Sequence, residues 1–192
     1  MRAIWTRLAP GIAALALALA SGAANADCDF LTGGGFIIIH RATSDDKANF
    51  GVAGGCSKDG TPTWGHLEYI DHGIGLNVHA TSITAYFVDN SVIAGVDSQG
   101  RPTGSRFICG KARTNLYGDD IDFVVRANDT GEPGTTDEFD IQLLSTPPYS
   151  TFTSPPFPHK LNGGNIQLQK PNPSTRTGTF SDPTSCPALG AA

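Results

Sequence analysis

The chain has 192 residues and a formal net charge of −5, with 39% hydrophobic and 16% charged residues, and its 23 glycines and 13 prolines follow no period of three. That profile excludes a coiled coil, a disordered chain and a collagen-like helix. Its acidic balance argues against a sequence-independent grip on nucleic acid or anionic lipid, both of which need a basic surface.

The first element in chain order is a targeting segment. Arg2 and Arg7 precede the apolar run from Ile12 to Ala20, and Ala24-Asn25-Ala26 supplies an A-x-A cleavage site, so residues 1–26 read as a secretory signal peptide cut at about Ala26. The apolar run is shorter than the ~20 residues of a membrane span and is interrupted at Pro10-Gly11, so no span is expected after cleavage. Asp27 occupies the position where a lipoprotein signal wants a small residue, which favours release as a soluble, extracellular or periplasmic protein over a lipid anchor on Cys28. Loss of the two arginines leaves 11 basic residues against 18 acidic ones, a net charge of −7. Cys28, Cys56, Cys109 and Cys186 all remain, and an even count in an exported chain reads as two disulfides. Of the three pairings, Cys28 with Cys186 and Cys56 with Cys109 is expected, the first clamping the termini and the second joining two strands. No C-x-x-C spacing points to a zinc site.

The body, residues 27–170, reads as all-β. No stretch holds apolar residues at helical spacing for more than about two turns, and Gly, Asn, Asp or Pro interrupts every ten residues or so. Strands are predicted at 35–41, 48–56, 64–70, 76–88, 91–96, 106–114, 121–127, 138–144 and 165–169. About nine short strands with hairpin connections predict an antiparallel β-sandwich or flattened barrel. Alternation assigns faces. Ile121, Phe123 and Val125 point inward, opposite Asp122 and Arg126. Phe139, Ile141 and Leu143 point inward with Glu138, Asp140 and Gln142 toward solvent, and Ile166 and Leu168 point inward with Gln167 and Gln169 outward. Residues 145–159 carry five prolines and three aromatics, which makes a long loop that either braces the body or binds a ligand. Residues 171–192 form a Pro/Ser/Thr-rich tail tied down only through Cys186.

Three stretches are distinctive as strings: Gly65–Ile83 (GHLEYIDHGIGLNVHATSI), Asn128–Ile141 (NDTGEPGTTDEFDI) and Leu161–Leu168 (LNGGNIQL), together with Thr32–Phe36 (TGGGF). In these the chain resembles the post-choice-of-anchor type of bacterial extracellular β-module over residues 30–170. The resemblance implies a secreted or surface-displayed all-β domain and transfers no reaction. The chain departs from that pattern in its four cysteines.

Two clusters suggest metals. Asp71, His72 and His79 lie around the turn of the first stretch, and imidazole with carboxylate suits zinc or another transition metal. The competing reading has Asp71 capping its own turn and His79 bonding a neighbouring strand. Asp129, Glu132 and Asp137 crowd a Glu-Pro-Gly turn, and oxygen ligands at that density suit calcium, although the loop has no EF-hand frame. There, too, the acidic residues can serve the turn itself. Trp64, Tyr69 and Tyr86 are candidates for an exposed aromatic platform for carbohydrate. No nucleophile elbow, metalloprotease helix, phosphate loop or free thiol is present, so a catalytic residue cannot be assigned. The sequence therefore predicts a secreted β-module with a binding or structural role in the cell envelope or extracellular matrix, with polysaccharide or envelope components as partners and calcium as a possible cofactor. The alternatives are a metal-dependent hydrolase of an extracellular polymer and a carbohydrate-binding module.

Overall fold

The structure is a computed structural model that describes residues 28–56, 63–171 and 178–190. The expected signal peptide lies outside the described residues. The described residues form ten strands: β1 (Phe30–His40), β2 (Asp45–Gly55), β3 (Trp64–Asp71), β4 (Leu76–Val88), β5 (Gly95–Val96), β6 (Pro102–Thr114), β7 (Gly118–Asp129), β8 (Glu138–Leu143), β9 (Tyr149–Ser150) and β10 (Gly163–Gln169). All belong to one antiparallel sheet in the order β10-β1-β2-β3-β4-β6-β7-β8-β9, with β5 paired to β6. The predicted strand at 91–96 shrinks to β5, because residues 89–94 turn instead of extending.

The apolar halves of the alternating strands face one interior. Leu31, Ile37, Phe50, Leu67, Tyr69, Val78, Ile108, Phe123, Val125, Phe139, Ile141, Leu143, Ile166 and Leu168 form a single buried cluster drawn from both ends of the sheet. The sheet is not closed by a ladder; it rolls until β10 lies against β6 and β7. Glycine permits the tight packing of the first strand on the last. A Cβ at Gly35 would collide with the Gly163 carbonyl, and Gly164 holds φ at +110° in a region L side chains rarely enter.

A second, smaller core lies on the outer face, where Ala85, Phe87, Cys109, Val124, Cys186 and Ala188 pack together under the chain's C-terminal segment. That segment carries the first correction. The disulfides are Cys28–Cys56 and Cys109–Cys186, not the expected pairs. Pairing of Phe30 with Gly55 brings Cys28 and Cys56 to one end of the β1–β2 hairpin, with Cα atoms 6.1 Å apart. Cys109 alternates with the inward Ile108 and so faces outward, where the returning tail meets it.

The second correction concerns faces. Asp140, Gln142 and Arg126 were expected in solvent, yet all three are buried. The outer face of β7 and β8 is covered from two directions. Thr151 and His159 of the proline-rich loop bond Asp140, and the Ala188 carbonyl accepts a 2.9 Å bond from Gln142 Nε2.

Candidate functional site

The acidic cluster at the β7–β8 connection is built into the seam of the rolled sheet. Strand β10 is an edge strand, so the N–H groups it turns away from β1 need acceptors other than a ladder. Two carboxylates supply them. Ile166 N–H donates to Asp137 Oδ2 at 2.8 Å and Leu168 N–H to Asp129 Oδ2 at 2.7 Å. The second oxygens are also used, Asp137 Oδ1 by Thr130 N–H at 3.0 Å and Asp129 Oδ1 by Gly131 N–H at 2.8 Å. Glu132 reaches across to the same strand, accepting from Gln167 Nε2 at 2.8 Å. Burial pushes the Asp129 carboxyl above its ordinary range against the pull of the Leu168 and Gly131 amides, and repulsion from Asp137 and Glu132 adds to it. The three candidate calcium ligands thus converge, and their oxygens already accept amide protons.

The other predicted metal residues part company. Asp71 follows Leu67 and Tyr69 in phase and points inward, fully buried. Arg41 donates to its Oδ2 at 2.5 Å, Tyr149 O–H donates to the same oxygen at 2.8 Å, and Gly73 N–H donates to Oδ1 at 2.9 Å. The Tyr69 and Tyr149 hydroxyls share a 2.5 Å bond, and burial pushes both phenols far up. His72 sits in the turn with Nε2 2.9 Å from Asn49 Oδ1, and His79 lies on the opposite face of the sheet from Asp71. Among the described residues, no group of three or more His, Cys, Asp or Glu side chains is arranged to hold a metal ion.

The aromatic platform is not assembled. Tyr69 and Tyr86 are fully buried in the core, Tyr86 with its hydroxyl on Asp29 at 2.8 Å, and only Trp64 reaches the surface, tilted against Phe30. Period-two alternation already put Tyr69 on the Leu67 face.

What the outer face of β3, β4 and β6 does present is a polar trough. His79 pairs across the strands with Glu68 on one side and Arg113 on the other, and its Nδ1 bonds Glu68. His66 lies two residues before Glu68 on the same face, its ring T-shaped to that of His79 with centroids 5.7 Å apart. A depression of about 430 Å³ runs over Glu68, Asn77, His79, Arg113, Asn115 and Asp119. Asn115 fixes its rim, accepting from Asn77 N–H at 2.7 Å and donating to the Gly75 carbonyl at 2.8 Å. The trough offers a guanidinium, two carboxylates and an imidazole at a shallow, open surface, which suits a ligand with many hydroxyl groups.

Sequence reasoning missed three buried polar groups. Arg106 makes a two-pronged contact with Asp29, tying the start of β1 to β6. Arg126 donates to Asp89 at 2.8 Å and to Glu138 at 2.9 Å. Burial opposes ionisation of Asp89, but hydrogen bonds from Ser91 and Arg126 outweigh it and hold its carboxyl below the ordinary range. The third group pairs Asp140 with His159, whose Nδ1 lies 2.7 Å from Asp140 Oδ1, with Thr151 donating to the same oxygen at 3.0 Å. In each case the partner comes from more than ten residues away, and only a charged residue inside a predicted strand could have signalled it.

No protein-family model matches the sequence, and neither a characterised protein nor a solved structure matches the chain.

Proposed function

We propose that the chain is an exported, disulfide-braced β-module that binds a hydroxyl-rich component of the cell envelope or extracellular matrix, a polysaccharide above all, through the β3–β4–β6 trough. This agrees with what the resemblance to the post-choice-of-anchor type module implies. One observation carries the reading. The buried carboxylates Asp29, Asp71, Asp89, Asp129, Asp137 and Asp140 are each held by structural donors, while Glu68, His79, Arg113 and Asp119 gather on an open surface. Buried, fully bonded groups rigidify a fold, and exposed polar groups on rigid strands present a ligand surface. The test is binding of the oxidised protein to envelope and matrix polysaccharides. Wild type is expected to bind, and His79→Ala with Arg113→Ala to lose at least about tenfold in affinity; a variant that binds as wild type would move the site elsewhere.

In this reading Asp129, Glu132 and Asp137 act as a clamp on β10. A calcium ion there would have to share carboxylates that already accept amide protons, so millimolar calcium is expected to leave the melting temperature unchanged, and a rise would favour the cation, since a ligand of the folded state must raise stability. A metal-dependent hydrolase is the competing reading. Stoichiometric transition metal in the purified protein would favour it.

A further inference from the structure

The outer face that carries the trough continues along β3 to an aromatic side chain. Trp64, His66 and Glu68 alternate with the buried Leu67 and Tyr69, so all three project from the same side of the sheet. The indole is fixed in place. Gly55 lies opposite Trp64 on β2, and Phe30 lies opposite Gly55 on β1. A Cβ at Gly55 would come within 3.0 Å of Trp64 Nε1, so the ring lies across the bare backbone of that glycine, and Phe30 tilts against it with centroids 5.9 Å apart. Packed on one side in this way, Trp64 is still 38% exposed.

The ground between the indole and the trough is low and polar. Opposite His66 and Glu68 on β2 stand Ala53 and Gly51, and a Cβ at Gly51 would meet nothing within 4 Å, so no side chain larger than a methyl group rises along that flank. His66 is exposed, with Nε2 3.8 Å from Glu68, and an imidazole offers a hydroxyl a hydrogen-bonding nitrogen in either tautomer. Trp64 precedes Glu68 by four residues of extended strand, about 13 Å. One sugar unit cannot touch both ends of that path, whereas a chain of several can.

A pyranose carries hydroxyls on its edge and C–H groups on its face. An exposed indole covers the C–H face, and the polar groups of the trough bond the edge. We propose that Trp64 is a stacking subsite continuous with the trough, and that the ligand is an extended saccharide chain lying along β3, with one ring on the indole and another over Glu68, His79 and Arg113. The inference rests on the trough reading and adds to it the length of the ligand and the residue that detects that length.

The expected cleavage at about Ala26 removes Trp5 and leaves Trp64 as the single tryptophan, so intrinsic fluorescence reports this position alone. The experiment titrates the exported, oxidised protein with disaccharides and hexasaccharides of the cellulose, chitin and alginate series. A hexasaccharide is expected to change the Trp64 emission saturably and to bind at least about tenfold more tightly than its disaccharide. Trp64→Ala, followed by calorimetry, is expected to erase that gain and leave the disaccharide within about twofold of wild type, and Trp64→Tyr, which keeps a ring, to restore part of it. A hexasaccharide that binds with unchanged Trp64 emission, or a length gain that survives in Trp64→Ala, would overturn the subsite. So would failure of every hexasaccharide to bind. The trough is read separately, by retention on immobilised polysaccharide: retention lost in His79→Ala with Arg113→Ala but kept in Trp64→Ala leaves the trough standing without the subsite, and retention absent in wild type removes both.

Discussion

The seam at β10 and the trough over β3, β4 and β6 both gather acidic and polar side chains, but they use them in opposite ways. At the seam, Asp137 is fully buried, and both its oxygens accept backbone N–H groups from segments that no ladder could otherwise pair. In the trough, the Glu68 and His79 side chains remain 47% and 38% exposed, on strands whose backbone bonds are already complete. Acid density by itself therefore does not mark a metal site. What separates the two regions is whether the surrounding backbone needs the carboxylates.

The largest expected effect breaks the seam. Asp137→Ala strands the Thr130 and Ile166 amides inside the protein, an expected loss of about 2–5 kcal/mol. For a domain of this size that corresponds to a fall in melting temperature of roughly 5–15 °C. A loss of under about 1 kcal/mol would mean that the seam is not a clamp. The two disulfides sharpen the same contrast between hairpin and long-range closure. Cys109–Cys186 closes 77 residues and Cys28–Cys56 closes 28. Loop-closure entropy therefore predicts that replacing the first pair by alanines destabilises by about 1 kcal/mol more than replacing the second. Denaturant titration of the two double variants measures the difference, and the reverse order would contradict the entropic account.

Acid titration reads the buried ion pairs. Because the folded pKa of Asp89 is held below its unfolded value, its ionisation stabilises the fold above the unfolded pKa, and that contribution is lost as pH falls through the folded value. Asp89→Asn should cost about 1–3 kcal/mol at pH 7, and the gap from wild type should narrow below about pH 4. Urea unfolding at pH 7, 5 and 3 checks it, with a pH-independent gap as the contrary result.

Much of this architecture was legible in the strand pattern. Phe139, Ile141 and Leu143 alternate cleanly and are core, and so are Ile166 and Leu168. Strand spacing located nine of the ten strands, missing only the two-residue β9 in the proline-rich loop. The outer face was not legible, because Asp140 and Gln142 are buried by segments that arrive from beyond the strand itself. Alternation reports a residue's side of the sheet and not what later lies over that side. The acidic stretch from Asp129 to Asp140 was visible, but its role depended on Ile166 and Leu168, 29 and 39 residues away in sequence. Tyr69 and Asp71 were misassigned against a signal that was present, since both share the phase of the buried Leu67.

On the proposed reading the ligand surface is the trough, and its side chains serve binding and not the fold. Substituting His79→Ala and Arg113→Ala together, then measuring polysaccharide affinity and melting temperature on the same preparation, tests it most directly. Stability within about 0.5 kcal/mol of wild type and affinity reduced at least about tenfold are expected. Unchanged affinity in a folded variant, or a wild type that binds no envelope or matrix polysaccharide, would contradict it.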